Sequence, residues 1–305
     1  MKDTTHRAGT ASSPMGVARP EHRLPAATRP GPVHLQIADL ARSVDWYERV
    51  LGLRAQQRSG GRALLTPRTS DEVLVELRER PGAAPVPREG RFGLFHVALL
   101  LPDRPALGAF LRHVAGLGEP VGAADHGVSE ALYLQDPDGL GVEVYADRPR
   151  SAWQVEDGEL RMGTVALDAQ AVAAAATEAW SGAPAGTAIG HVHLHVGSLD
   201  EADAFYHRAL GLDRVVWSYP GALFLSAGGY HHHLGLNTWS RGGVAGPDDA
   251  KLLEWRLVLP TAEDVDAAVR SVRTAGYEVE AIHGEVRLRD PWGTAVRLEP
   301  AEVAD

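Results

Sequence analysis

Val33-His-Leu-Gln-Ile-Ala-Asp-Leu-Ala-Arg-Ser-Val-Asp-Trp-Tyr47-Glu-Arg-Val-Leu-Gly52-Leu53 returns later in the chain as Val192-His-Leu-His-Val-Gly-Ser-Leu-Asp-Glu-Ala-Asp-Ala-Phe-Tyr206-His-Arg-Ala-Leu-Gly211-Leu212. Tyr47 and Tyr206, like Gly52 and Gly211, stand 159 positions apart, so no insertion separates the two copies internally. Each reads as a short alternating strand, an N-capping Asp or Ser, and an amphipathic helix stopped by glycine. A repeat of this size is one supersecondary unit, and its apolar faces need neighbouring copies to cover them.

A second pair of segments lies between and after these. Phe95-His-Val-Ala-Leu-Leu-Leu-Pro102 and Leu253-Glu-Trp-Arg-Leu-Val-Leu-Pro260 each open a strand, and a helix follows each, around 104–116 and 262–275. Each unit closes on a tight turn, Asp136-Pro-Asp-Gly139 or Asp290-Pro-Trp-Gly293, in which proline presets the backbone and glycine accepts positive φ. The chain therefore carries four strand–helix–strands units, at about 31–80, 92–148, 187–240 and 251–300. The expected organisation is a disordered leader (1–29), an N-terminal pair of modules (30–148), a connecting helical segment (149–186) and a C-terminal pair (187–305). The connection holds an Ala-rich helix, Val172 to Trp180, expected to pack across the outside.

The bulk properties exclude several functions. Among 305 residues with a formal charge of -10, no broad basic footprint for nucleic acid or an anionic membrane is expected. No apolar run approaches the roughly 20 residues of a membrane span. There are no cysteines, so disulfides, thiolate metal sites and cysteine nucleophiles are absent. The leader lacks the apolar segment of a secretion signal, which points to a cytoplasmic protein. Nothing in the composition opposes a homo-oligomer. Fourteen histidines carry most of the chemical information.

Tandem units with Tyr-x-x-x-Leu-Gly-Leu and Asp-Pro-x-Gly hairpins resemble the vicinal oxygen chelate superfamily of glyoxalases, bleomycin-resistance proteins and extradiol dioxygenases. The resemblance covers residues 31–300. It implies an α+β fold of four βαβββ modules paired into two concave half-barrels, with metal ligands on the first and last strands of facing modules. The first-strand positions are Pro32, His96, His191 and Glu254, and the closing strands offer Glu143 in module two and Arg297 in module four. Modules two and three thus supply His96, Glu143 and His191, the two-histidine, one-carboxylate set that suits Fe(II) and also accepts Mn(II). Modules one and four lack it, since proline cannot ligate and arginine repels a cation. The inner modules are therefore expected to pair with each other, and the outer modules likewise. Glu76 and Glu254 read as solvated strand residues, with remnants of ligand positions as the alternative, and His34 as lining the degenerate outer cavity.

The segments Asp-His126-Gly-Val-Ser-Glu-Ala-Leu-Tyr133-Leu and Gly229-Tyr-His231-His232-His233 resemble the bacterial catechol-2,3-dioxygenase branch in particular. That resemblance implies His233 as the acid–base residue and His126 and Tyr133 as hydrogen-bond donors to the reacting oxygens, while the period-two run His191-x-His193-x-His195 puts His193 on the ligand face as a substrate-binding candidate. A shift of one residue in the strand would exchange His233 for His232. The order of the two ligand-bearing modules is reversed relative to typical two-domain extradiol enzymes, so the site would bridge the halves of the chain. The implied partners are an aromatic diol and O2. Three other readings stay open at this stage: a hydroquinone-cleaving dioxygenase, a glyoxalase-like isomerase or lyase using Ni or Zn, and a metal-free binding protein of the bleomycin-resistance type.

Overall fold

The same few local signals start and stop the elements of all four repeats. The computed structural model describes residues 15–17, 21–282 and 284–302. Module one comprises β1 (Arg29–Ile37), α1 (Leu40–Arg49), β2 (Arg54–Ser59), β3 (Arg62–Thr66) and β4 (Val75–Glu79). Module two comprises β5 (Gly93–Leu100), α2 (Arg104–Leu117), β6 (Gly122–Asp125), β7 (Ser129–Gln135) and β8 (Gly141–Asp147). The connection holds a small hairpin, β9 (Val155–Glu156) and β10 (Glu159–Leu160), then α3 (Ala169–Ala174). Module three comprises β11 (Ala188–His195), α4 (Leu199–Ala202, running on as a π-helical stretch Asp203–Ala209), β12 (Asp213–Val216), β13 (Ala222–Ser226) and β14 (Leu234–Asn237). Module four comprises β15 (Lys251–Leu259), α5 (Ala262–Thr274), β16 (Val279–Ile282), β17 (Glu285–Arg289) and β18 (Ala295–Pro300).

The four module helices begin at side-chain caps. Asp39, Asp103, Ser198 and Thr261 each accept a hydrogen bond from the backbone N–H three residues on, satisfying a donor that helix geometry leaves unpaired. In the turn of module two, Asp136 Oδ1 accepts the N–H groups of Asp138 and Leu140, both at 2.9 Å, and Gly139 takes φ of 80°. Asp290 repeats this with Trp292 and Thr294 at 3.0 and 2.8 Å. The hydroxyl of Tyr206 donates to Asp290 at 3.0 Å, and that of Tyr47 lies 3.4 Å from Asp136. The helix tyrosine and the turn aspartate, separate signatures in the sequence, thus form one contact that ties module one to module two and module three to module four.

The module strands form two eight-stranded sheets. One runs β16-β17-β18-β15-β1-β4-β3-β2, from modules four and one; the other runs β12-β13-β14-β11-β5-β8-β7-β6, from modules three and two. The inner modules pair with each other, and so do the outer, as the distribution of ligands predicts. The joins are antiparallel, β5 with β11 and β1 with β15, so each sheet takes half its strands from each half of the chain. Val33, Leu35 and Ile37 of β1 and Val192 and Leu194 of β11 are buried in one continuous apolar core. Alternation sends His34, His191, His193 and His195 to the opposite face, where each sheet holds a cavity.

Two expectations change. Of the leader expected to be disordered, residues 1–14 and 18–20 lie outside the described residues, but much of the remainder is docked. Leu24 is buried and its N–H bonds Gly211, Arg23 forks onto Asp213, and Val17 bridges Arg214. One apolar anchor and one ion pair hold a segment whose composition alone reads as unstructured. The connecting helix is also shorter and earlier than Val172–Trp180. Asp168 caps its start, and Trp180 lies beyond its end with its ring against Phe110, at 5.1 Å between centroids. An alanine run has little side chain to bury, so the cap and the tryptophan anchor decide its limits.

Candidate metal centre and active site

The centre of the inner sheet is β5, flanked by β8 on one side and β11 on the other. Glu143 and His191 both pair with Ala98 of β5, from opposite sides, and His96 lies two residues along the same face. The small side chain of Ala98 leaves the space between them open. His96 Nε2 is 3.0 Å from Glu143 Oε2, His191 Nε2 is 3.2 Å from the same oxygen, and the two nitrogens are 3.3 Å apart. All three residues are buried, and they form the one group of metal-ligating type found among the described residues.

Irregular pairing sharpens this convergence. In the β5–β11 ladder His193 faces His96 while Leu194 faces Leu94, which leaves Phe95 as the extra residue of a bulge; Gly190 is the extra residue of a second bulge beside His191. Bulges re-aim side chains at the cost of a ladder bond. Gly190 is required there, because a Cβ would lie 1.8 Å from the Tyr145 hydroxyl.

The electrostatics favour a bound cation. Burial alone would raise the Glu143 carboxyl, but His191 and His96 outweigh it and hold the group well below the usual carboxylate range. Burial pushes His191 down to about 4, so its imidazole is neutral near pH 7. A neutral imidazole and an ionised carboxylate are the protonation states in which these groups ligate metals. Donors at right angles around an ion with bonds of ~2.1 Å stand about 3.0 Å apart, close to the three separations here. The donor set therefore fits one divalent ion with coordination positions to spare.

Around these three residues lies a cavity of about 240 Å³. His126, Tyr133 and His193 all line it. His126 Nδ1 lies 2.7 Å from the Gly163 carbonyl, so it carries the hydrogen, and Nε2 accepts from the Tyr133 hydroxyl at 2.6 Å. His193 Nε2 accepts from Asn237 Nδ2 at 3.0 Å.

His233 does not reach the cavity, which corrects the expectation for that residue. Its Nδ1 accepts the Ala227 N–H at 3.2 Å and its ring stacks on Tyr230. His232 lines the cavity instead, its ring 4.1 Å from that of His191. Strict alternation fails because regular strand begins only at Leu234, and the backbone bends at His231 and His233. Behind His232, its Nδ1 lies 2.8 Å from His231 Nδ1, and His231 Nε2 lies 2.9 Å from Asp147. With the His231 hydrogen held toward Asp147, His231 Nδ1 accepts from His232, and His232 Nε2 keeps a free lone pair.

The walls went unread in the sequence. Phe95, Tyr219, Phe224 and Trp239 supply aromatic faces, and Met162 to Thr164 of the connection close one side. Trp239 has the parity of Asn237 and could have been found by that alternation, whereas Phe95 is the extra residue of the bulge and strict alternation sends it to the opposite face. The contribution of the connection has no local signal, because it depends on where that segment folds back.

The outer sheet carries Pro32, Glu254 and Arg297 where the inner one has His191, His96 and Glu143. His34 does line the cavity there. Glu76 and Glu254, expected at the solvated surface, are buried: Arg62 binds Glu76 at 2.7 Å and Arg287 binds Glu254 at 2.5 Å. A buried carboxylate needs such a partner, and arginines on a neighbouring strand, or two strands away in the case of Arg287, are invisible to a local reading.

Comparison with known proteins gives a consistent picture. The model of the Glyoxalase/Bleomycin resistance protein/Dioxygenase superfamily matches residues 29–144 and 188–298. A catechol-2,3-dioxygenase of Bacillus subtilis is 44% identical over 270 residues, covering 87% of this chain and 94% of that protein. A Bacillus subtilis protein of known structure superposes on 93% of this chain and 87% of its own, with a TM-score of 0.64 at 14% identity. Glyoxalase I from Zea mays superposes with a TM-score of 0.54 at 16% identity, covering 89% of this chain and 92% of the maize one. The two solved structures bear on the fold alone.

Proposed function

Since the chain belongs to the glyoxalase/bleomycin resistance protein/dioxygenase superfamily, we propose that it is a metal-dependent extradiol dioxygenase. It cleaves a catechol-type ring beside its two hydroxyls, consuming O2. The observation that carries this reading is the convergence of His96, Glu143 and His191 at the foot of an aromatic cavity, in a chain 44% identical over 270 residues to a catechol-2,3-dioxygenase.

His96, Glu143 and His191 would hold Fe(II), or the Mn(II) that the same donors accept. Bound there, the ion supplies a Lewis acid for the diol oxygens and an electron path between ring and O2. The protein supplies the rest. His232 Nε2, left with a free lone pair by the His231–Asp147 chain behind it, takes the proton of the entering diol and returns it to the opening ring. Burial drives His232 well below the usual imidazole range, which keeps that nitrogen unprotonated before substrate arrives. The Tyr133 hydroxyl, which donates to His126 Nε2 in the free protein, stabilises the oxygens on which negative charge develops by turning its hydrogen to them. Phe95, Phe224 and Trp239 flank the ring and exclude water.

A second carboxylate ligand, which a glyoxalase-like isomerase would favour, is missing from the one ligand group found among the described residues. The deciding experiment combines metal analysis with an oxygen electrode. The anaerobically iron-loaded protein should consume O2 with catechol and yield a yellow ring-opened product. Alanine at His96, Glu143 or His191 should abolish both metal content and uptake. Turnover of a diol without oxygen consumption would overturn the assignment.

A further inference from the structure

We infer that the outer half-barrel, made by modules one and four, is a second ligand site, and that it binds a small multiply charged oxyanion. This does not rest on the dioxygenase reading. The outer sheet holds a cavity of about 730 Å³ on the face equivalent to the metal-bearing one. Its chemistry is inverted. Arg297 stands where the inner sheet has Glu143, and Arg256 adjoins it across the β15–β18 pairing.

Seven cationic side chains line the cavity, and five carboxylates pair with them among the described residues, an excess of two positive charges. A concave site with low-dielectric walls concentrates such a field. His34 at the floor feels it. Burial first, then Arg256, outweighs the pull of Glu254 and lowers the imidazole to about 4, and neutral Nε2 accepts from Arg256 at 3.0 Å.

The pairing is also incomplete. Among the described residues, Nε of Arg256 and Oε1 of Glu254 are buried without a hydrogen bond, and Nε of Arg297 has only Glu299 Oε2, at 3.3 Å. A network that served only to seal the sheet would gain by closing on itself, since each buried polar atom left unmade is costly. Here the arginines surround a hollow instead. One of the orphaned atoms, Arg256 Nε, belongs to a guanidinium, the group that receives carboxylate or phosphate oxygens in a fixed fork. Arg256, Arg287 and Arg297 retain 23%, 27% and 19% of their side-chain exposure, so an anion can reach them from solvent.

The test is calorimetric titration of the full-length, metal-loaded protein at low ionic strength, with inorganic phosphate in one arm and succinate in the other. One binding event per chain is expected, weakened about tenfold by Arg297→Gln and by Arg287→Gln and weakened further by added salt. The arm that binds more tightly tells phosphate from carboxylate recognition. Arg297 is the more deeply set, so Arg287→Gln decides the matter if Arg297→Gln fails to fold, with circular dichroism as the check. Failure of both anions to bind in the millimolar range overturns the inference. So does binding that a folded Arg287→Gln protein retains in full.

Discussion

Two adjacent histidines separate a residue that handles protons from one that holds the backbone. His232 faces the cavity beside His191, whereas His233 accepts a backbone N–H and packs on Tyr230. His232→Gln is therefore expected to lower kcat by about 10²–10⁴ while metal content stays at the wild-type level. His233→Gln should leave oxygen uptake nearly intact, because an amide can still accept from Ala227. Measuring kcat and bound metal for both variants checks the assignment, and the reverse ranking would return the role to His233. The metal-ligating types were legible at this scale. The family resemblance marks His96, Glu143 and His191 as ligand positions on first and closing strands, and strand alternation carries each to the cavity face. His232 was not legible, because its direction depends on bends that precede the strand.

The connecting element tests whether helix propensity or packing dominates. Gly108 lies inside α2, where alanine ordinarily stabilises by about 1 kcal/mol over glycine. A Cβ there would lie 2.3 Å from the Val172 carbonyl of α3, a backbone atom that cannot swing aside. Gly108→Ala is accordingly expected to destabilise by about 1–3 kcal/mol, read as a lower midpoint in thermal unfolding. A raised midpoint would mean that α3 does not sit against α2. The sequence marks Gly108 only as a weak point in a helix. Its reason lies in a segment more than sixty residues away.

At the scale of the whole molecule, each half of the chain is an incomplete unit. Residues 30–148 alone would leave β1 without β15 and β5 without β11, exposing two sheet edges and lacking His191. That fragment is expected to aggregate or remain unfolded and to bind no metal at the wild-type site; a monomeric fragment with cooperative unfolding would contradict the topology. Acid should also weaken the intact protein. Burial lowers His34 and His191 to about 4 and His233 to about 3, from 6.5. The unfolded imidazoles take up protons first on acidification, so their contribution is complete above pH 6.5 and is lost as pH falls toward 4. Asp136, raised by burial to about 7 from 3.8, acts in the opposite sense and offsets part of this. Urea midpoints measured without metal across that window should fall with pH, and a flat profile would show these histidines to be more exposed than described. The sequence by itself determined the modular repeat, the turns and caps that delimit it, and the ligand types available in each module. The repeat, turns and caps follow from spacing and alternation, which act over a few residues, and the ligand positions from the family resemblance that the repeat reveals. Only the tertiary structure decided that His232 rather than His233 enters the cavity, that Met162 to Thr164 close it, and that Glu76 and Glu254 lie buried against arginines. Those outcomes depend on contacts between segments far apart in the chain, and no local pattern of residues records which surfaces will meet.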